Sequence, residues 1–291
     1  MALDRLLQAE GGDPSALNRA DEALGRVQAL THGLPELVFA DILFNPELDF
    51  FELRQRFEDF TRSATENDYP DSAIAFAQGT YLFITGRVAE SVGLLERAHA
   101  LDPLNGLIVQ ILAEIYAARG RPEDSREVAA AYSEQVGFVE AMVINTRAAQ
   151  TALEMNDDSV LDEVLTRRRP LANSGDYFAL FNRMGELIDE PERAIEELEA
   201  FFRSNEYPFW ATHAIPWAAY FGDEELVLEM LAEANLFARA AHLWRPLLAD
   251  TRKTDGFKEL MRTIGLEPFW RETGNWPDYC EPVGLNDFQC F

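Results

Sequence analysis

Between residues 72 and 103, apolar and small residues return every three or four positions, twice over. Ile74, Phe76, Ala77, Gly79 and Leu82 fall on one side of a first helix; Val88, Val92, Leu95 and Ala98 fall on one side of a second. Thr85-Gly86 separates them, and Pro103 ends the second helix by keeping the residue before it out of helical conformation. The rhythm then starts again. Leu112, Ala113 and Tyr116 lead to Gly120, and Ser125 and Ala129 follow. Helix-turn signals stand at Gly86, Gly120, Asn156, Asp189 and Gly222, at intervals of 34, 36, 33 and 33 residues. A unit of that length is one helix–turn–helix pair, too small to bury its apolar side alone, so neighbours must stack. The pattern predicts an all-α, right-handed α-solenoid of about five to six helical pairs.

Beyond residue 135 the helical rhythm persists with less regular punctuation. Residues 139–155 pair with 158–168, 177–188 with 191–202, and 210–221 with 223–233. Pro122 and Pro191 stand at helix starts and are followed by acids, where a missing N–H is harmless and negative charge is favoured. Pro216 predicts a kink or a shortened helix. Upstream, Asp13-Pro14-Ser15 marks a helix start, and Pro35 and Pro46 punctuate two more helices. Phe50, Leu53, Phe57 and Phe60 form an aromatic stripe of the kind that usually enters a core. The chain thus divides into a helical region over 1–71, two clear repeats over 72–135, degenerate repeats over 136–235 and a non-repeat C-terminal cap over 236–291.

Gly79, Gly86, Ala98 and Pro103 stand where the tetratricopeptide repeat keeps its small residue, turn glycine, small alanine and closing proline. Residues 73–135 therefore resemble two tetratricopeptide repeats. The C-terminal region carries Leu243-Trp244-x-Pro246, Leu266-x-x-Phe269-Trp270 and Trp276-Pro277-x-x-Cys280. These residues resemble the end of the tetratricopeptide regions attached to bacterial winged-helix regulators of the membrane-anchored type and to some bacterial adenylate cyclases. In such proteins the DNA-binding or cyclase domain precedes the repeats, and neither is in this sequence. The resemblance implies a sensory or interaction module of a bacterial signalling protein, with its effector missing or supplied separately.

Charge narrows the partners. With 25 basic residues against 51 acidic ones the net charge is −26, which repels phosphate backbones and argues against direct nucleic-acid binding. The run Arg167-Arg168-Arg169 is read as a helix C-terminal flank rather than a docking patch. The uncharged stretch over 207–222 contains Pro216 and is short of the roughly 20 apolar residues that span a bilayer. The first seven residues lack a basic n-region and an apolar core, so the sequence as it stands reads as cytoplasmic. Cys280 and Cys290 leave two readings open. A loop-closing disulfide in a longer chain would place it in the periplasm; otherwise they are two reduced thiols under a C-terminal cap. No histidine lies near enough in sequence to complete a zinc site with them.

No phosphate-binding glycine loop and no nucleophile elbow occurs, and His32, His99, His213 and His242 are scattered without metal-ligand spacing. The acidic pairs Glu196-Glu197 and Asp157-Asp158 have no basic partner in view. The expected function is non-catalytic and cofactor-free: a scaffold holding a protein or peptide, basic or amphipathic in character. Gln78, Gln110 and Glu114, on the first helices of the clear repeats, are expected to line its concave side. Tyr207, Phe209, Trp210, Trp217, Tyr220 and Phe221 form the best aromatic recognition candidate, with Trp210 and Trp217 on one helical face if Pro216 leaves the register intact; solenoid core is the competing reading. The rival function is a small-molecule receptor or enzyme with a pocket between residues 207–221 and the C-terminal tail.

Overall fold

A computed structural model describes residues 48–66, 68–137, 150–155, 176–204 and 208–291, excepting the side chains of 176–179 and 208–212. The helices expected upstream of residue 48, the pair over 139–155 and 158–168 apart from 150–155, the Asn156 turn, the Arg167–Arg169 run and Tyr207 lie outside these residues.

Helix α1 (Phe50–Glu66) begins where the Asp49 carboxylate accepts from the N–H groups of Phe51 and Glu52 at 2.8 and 2.7 Å. Helices α2 (Asp71–Ile84) and α3 (Val88–Leu101) make the first clear pair, α4 (Gly106–Ala118) and α5 (Pro122–Val136) the second. A 3₁₀ turn over Thr151–Glu154 follows. Then come α6 (Asp176–Glu186), α7 (Pro191–Ser204), α8 (Pro208–Phe221), α9 (Glu224–Glu233) and α10 (Leu236–Leu243). Two more 3₁₀ turns, Pro246–Leu248 and Thr251–Lys253, lead to α11 (Asp255–Thr263) and α12 (Leu266–Thr273). The protein is predominantly helical.

Three of the expected turns share one hydrogen-bond pattern. Gly86 N–H donates to Phe83 O and Arg87 N–H to Leu82 O; Gly120 and Arg121 repeat this onto Ala117 and Tyr116, and Gly222 and Asp223 onto Ala219 and Ala218. This is the Schellman ending of a helix, which needs a left-handed residue at its bend. The three glycines supply it, with φ of 93°, 65° and 84°. Asp189 lies in the turn that follows α6, without positive φ. Gly79 serves α2 differently: a Cβ there would lie 2.7 Å from Leu95 Cγ, so its absence sets how closely α2 and α3 cross.

Helices packed in sequence order (α1 on α2, α2 on α3, α3 on α4, α4 on α5) put their apolar sides into one continuous core running from Leu48 to Phe288. The Phe50, Leu53, Phe57 and Phe60 stripe is buried in it, as its spacing predicts. Pro216 lies inside α8 and withholds one N–H from its ladder; the helix runs on to Phe221, so it is not shortened at the proline.

The C-terminal region departs most from expectation. Instead of capping the far end alone, it returns to the first pairs: α10 packs on α2 and α4, and α12 packs on α1. It also contains the only β structure among the described residues, an antiparallel hairpin of β1 (Cys280–Val283) and β2 (Asp287–Cys290) pairing Cys280 with Cys290. The all-α reading missed it because two four-residue strands carry too little alternation to stand out from a turn-rich tail. The boundary expected at residue 236 therefore marks a change in pattern, not a separate core.

Candidate functional site

An open groove of about 740 Å³ runs beside the first pair, between α1 and the α2–α3 hairpin. Its floor is aromatic and aliphatic: the Phe57 and Tyr81 rings lie 5.1 Å apart, with Leu82 and Leu94 beyond them. Its α1 rim carries Arg54, Glu58, Arg62 and Glu66, each one helical step of four residues from the last. Side chains at that spacing stand in line on one helix face, so the rim alternates positive and negative. Arg54 Nε donates to Glu58 at 2.7 Å with both side chains about half exposed. Such an exposed pair is screened by water and readily exchanges partners. Burial raises the Tyr81 hydroxyl pKa above its ordinary value, so it stays a neutral donor at the groove floor.

Gln78, expected on a binding surface, sits half-buried on this groove. Gln110 and Glu114 do not share its position. They are only 5 % and 2 % exposed. Glu114 was expected to meet a partner's basic side chain; it meets Arg245 of its own chain, 3.6 Å away. Arg245 Nε also donates to the Glu154 carboxylate. The three side chains, 1 %, 2 % and 3 % exposed, join α4, the Thr151–Glu154 turn and the segment after α10. No substrate reaches them without opening the core, and they read as a structural lock.

One guanidinium between two buried carboxylates leaves negative charge in excess, and desolvation pushes the Glu154 carboxyl above its ordinary value of 4.5 despite Arg245. The folded chain then holds that proton more tightly than the unfolded one. The resulting stability is complete below pH 4.5 and is lost as pH rises through the raised value. Glu154→Gln should therefore flatten the decline in stability from pH 4.5 upward, read as urea midpoints across pH.

Trp217 is fully buried, its ring 5.2 Å from Phe181 and stacked at 5.9 Å on Phe221. With Tyr220 closing the cluster, these rings fill one another's space, which favours the core reading over a ligand surface. Trp210 lies in α8, and its side chain is outside the described residues. Cys280 and Cys290 are joined in a disulfide across the hairpin. Among the described residues no group of three or more His, Cys, Asp or Glu is placed to hold a metal ion, and no helix is long and apolar enough to cross a membrane.

Arg245 and the alternating α1 rim escaped sequence reading. Arg245 is the unspecified position of Leu243-Trp244-x-Pro246, and a buried arginine beside a tryptophan was the available signal. The rim's four-residue alternation is legible on the same helix as the phenylalanine stripe. Comparison with family models, with curated proteins and with solved structures finds no match to this chain.

Proposed function

We propose that this chain is a non-catalytic, tetratricopeptide-like helical scaffold that holds an amphipathic helix of a protein partner against α1–α3, as the interaction module of a bacterial regulatory system. The observation that carries this reading is the open groove, whose apolar floor lies beside a rim alternating in charge at helical spacing. An amphipathic helix fits such a groove by laying down an apolar stripe, with flanking charges of the opposite alternation facing Arg54, Glu58, Arg62 and Glu66. Three turns of one design, at Gly86, Gly120 and Gly222, support the stacked-repeat, solenoid part of the reading. The Cys280–Cys290 bond favours an oxidising compartment such as the periplasm over the cytoplasm.

Photocrosslinking in the source cells tests the proposal. With p-benzoylphenylalanine at Gln78, one discrete protein adduct is expected; with the same group at Glu259, whose side chain is 74 % exposed on α11, none is expected. Arg62→Glu, a reversal at a side chain 64 % exposed, should weaken the Gln78 adduct several-fold without unfolding the chain. Equal labelling from both positions, or an adduct indifferent to the reversal, contradicts the docking site.

A further inference from the structure

The hairpin disulfide links two differently anchored parts of the C-terminal region. On one side, β2 is held to α11 and α12. The Asp287 carboxylate accepts from Lys258 at 3.1 Å and from Arg262 at 3.1 Å, and its backbone carbonyl accepts from Arg271 at 2.7 Å. The neighbouring Phe288 ring is fully buried against Trp270 and Trp276. On the other side, the two residues before Cys280 sit on the turns of both clear pairs. Asp278 N–H donates to Gly86 O at 3.0 Å, and its carboxylate accepts from Ala89 N–H at 2.5 Å. Tyr279 OH donates to Ala118 O at 2.8 Å, while Arg119 lies 3.8 Å from Asp278.

Helix α3 has no cap of its own, since its N-cap residue Arg87 makes no side-chain capping bond. Asp278 supplies that cap from 189 residues away. A carboxylate there also meets the positive end of the helix dipole. Its position is not fixed by its own helix; it depends on the segment 276–280, which the Cys280–Cys290 bond ties to the anchored strand together with the hairpin pairing, the Trp276–Phe288 contact and the Phe291 N–H to Tyr279 O bond.

We propose that the Cys280–Cys290 disulfide is a reversible redox clasp: closed, it seats Asp278 and Tyr279 on the two repeat turns; opened by a dithiol reductant, it releases them. Cys280 is 3 % exposed and Cys290 is the more accessible partner, which directs attack to Cys290 Sγ. The reductant's thiolate forms a mixed disulfide there, and Cys280 leaves as a thiolate that takes a proton from solvent. The reductant's second thiol then displaces Cys290, leaving two protein thiols and one cyclic disulfide, with two electrons passed to the protein. The device is independent of what the α1–α3 groove holds, because it acts on the turns themselves.

Residue-resolved hydrogen exchange on the full chain, before and after dithiothreitol, tests the clasp, with alkylation and intact mass reporting both thiols. Exchange at the Ala89 amide is expected to rise about five- to tenfold on reduction, the equivalent of a lost helix cap. Reoxidation with oxidised glutathione should restore it. The Cys280→Ser/Cys290→Ser variant should show the raised rate and ignore dithiothreitol; should it not fold, the reversibility in the unaltered chain decides. Unchanged Ala89 exchange in the fully alkylated protein overturns the proposal. So does a disulfide that dithiothreitol leaves intact in the folded chain.

Discussion

Arg245→Met is expected to destabilise the protein by about 3–5 kcal/mol, read from the urea midpoint at constant slope. The side chain is 1 % exposed and is the shared counter-ion of Glu114 and Glu154. Methionine fills much of its volume, so lost packing contributes little; the loss comes from stranding two carboxylates away from water. That distinction can be measured. Adding Glu154→Gln to the variant removes one stranded charge and should recover a substantial part of the loss, whereas Glu154→Gln alone should be mild at neutral pH because Glu114 still faces Arg245. If the arginine matters only as bulk, the second substitution recovers nothing.

Gly86→Ala is expected to cost about 2–4 kcal/mol, and Gly222→Ala only about 1. Both positions have positive φ, 93° and 84°, and end their helices with the same hydrogen bonds, so the backbone penalty is common to them. Their surroundings differ. A Cβ at Gly86 would lie 2.5 Å from Pro277 Cβ and 2.7 Å from a Trp244 ring carbon, whereas at Gly222 nothing stands within 4 Å. The difference between the two variants therefore isolates the contact between the C-terminal region and the turn between α2 and α3. Thermal or urea unfolding of both, under identical conditions, reads it directly.

Much of the helical core was legible in the sequence because its signals are local. The apolar spacing of Ile74 to Leu82 and of Val88 to Ala98 places the α2 and α3 helices, and Gly86 and Gly120 mark turns that only glycine makes without strain. Pro191 and Asp223 likewise sit at observed helix starts. The long-range pairings were not legible. Nothing near Glu114 announces Arg245, 131 positions later, and nothing near Arg87 announces that Asp278 will cap its helix. Gln110 and Glu114 thus read as exposed polar residues on a helix, although both are buried and Glu114 faces Arg245. At Pro216 the helix is not shortened, because Trp217 and Ala218 anchor α8 in the core on the far side of the proline. Gln78 and the four-residue charge alternation of α1 are legible in the sequence, but the groove itself is not, because its shape depends on how α1 meets the following pair.

The structural claim on which the rest depends is that the C-terminal region and the first two helical pairs form one cooperative body. Native-state hydrogen exchange across sub-denaturing urea tests it most directly. The amides that close the Gly86 and Gly120 turns, Arg87 and Arg121, are predicted to merge with those of Phe269, Trp270 and Phe288 onto a single opening isotherm. A C-terminal region that opens at a distinctly lower free energy, while Arg87 and Arg121 stay protected, would contradict the account.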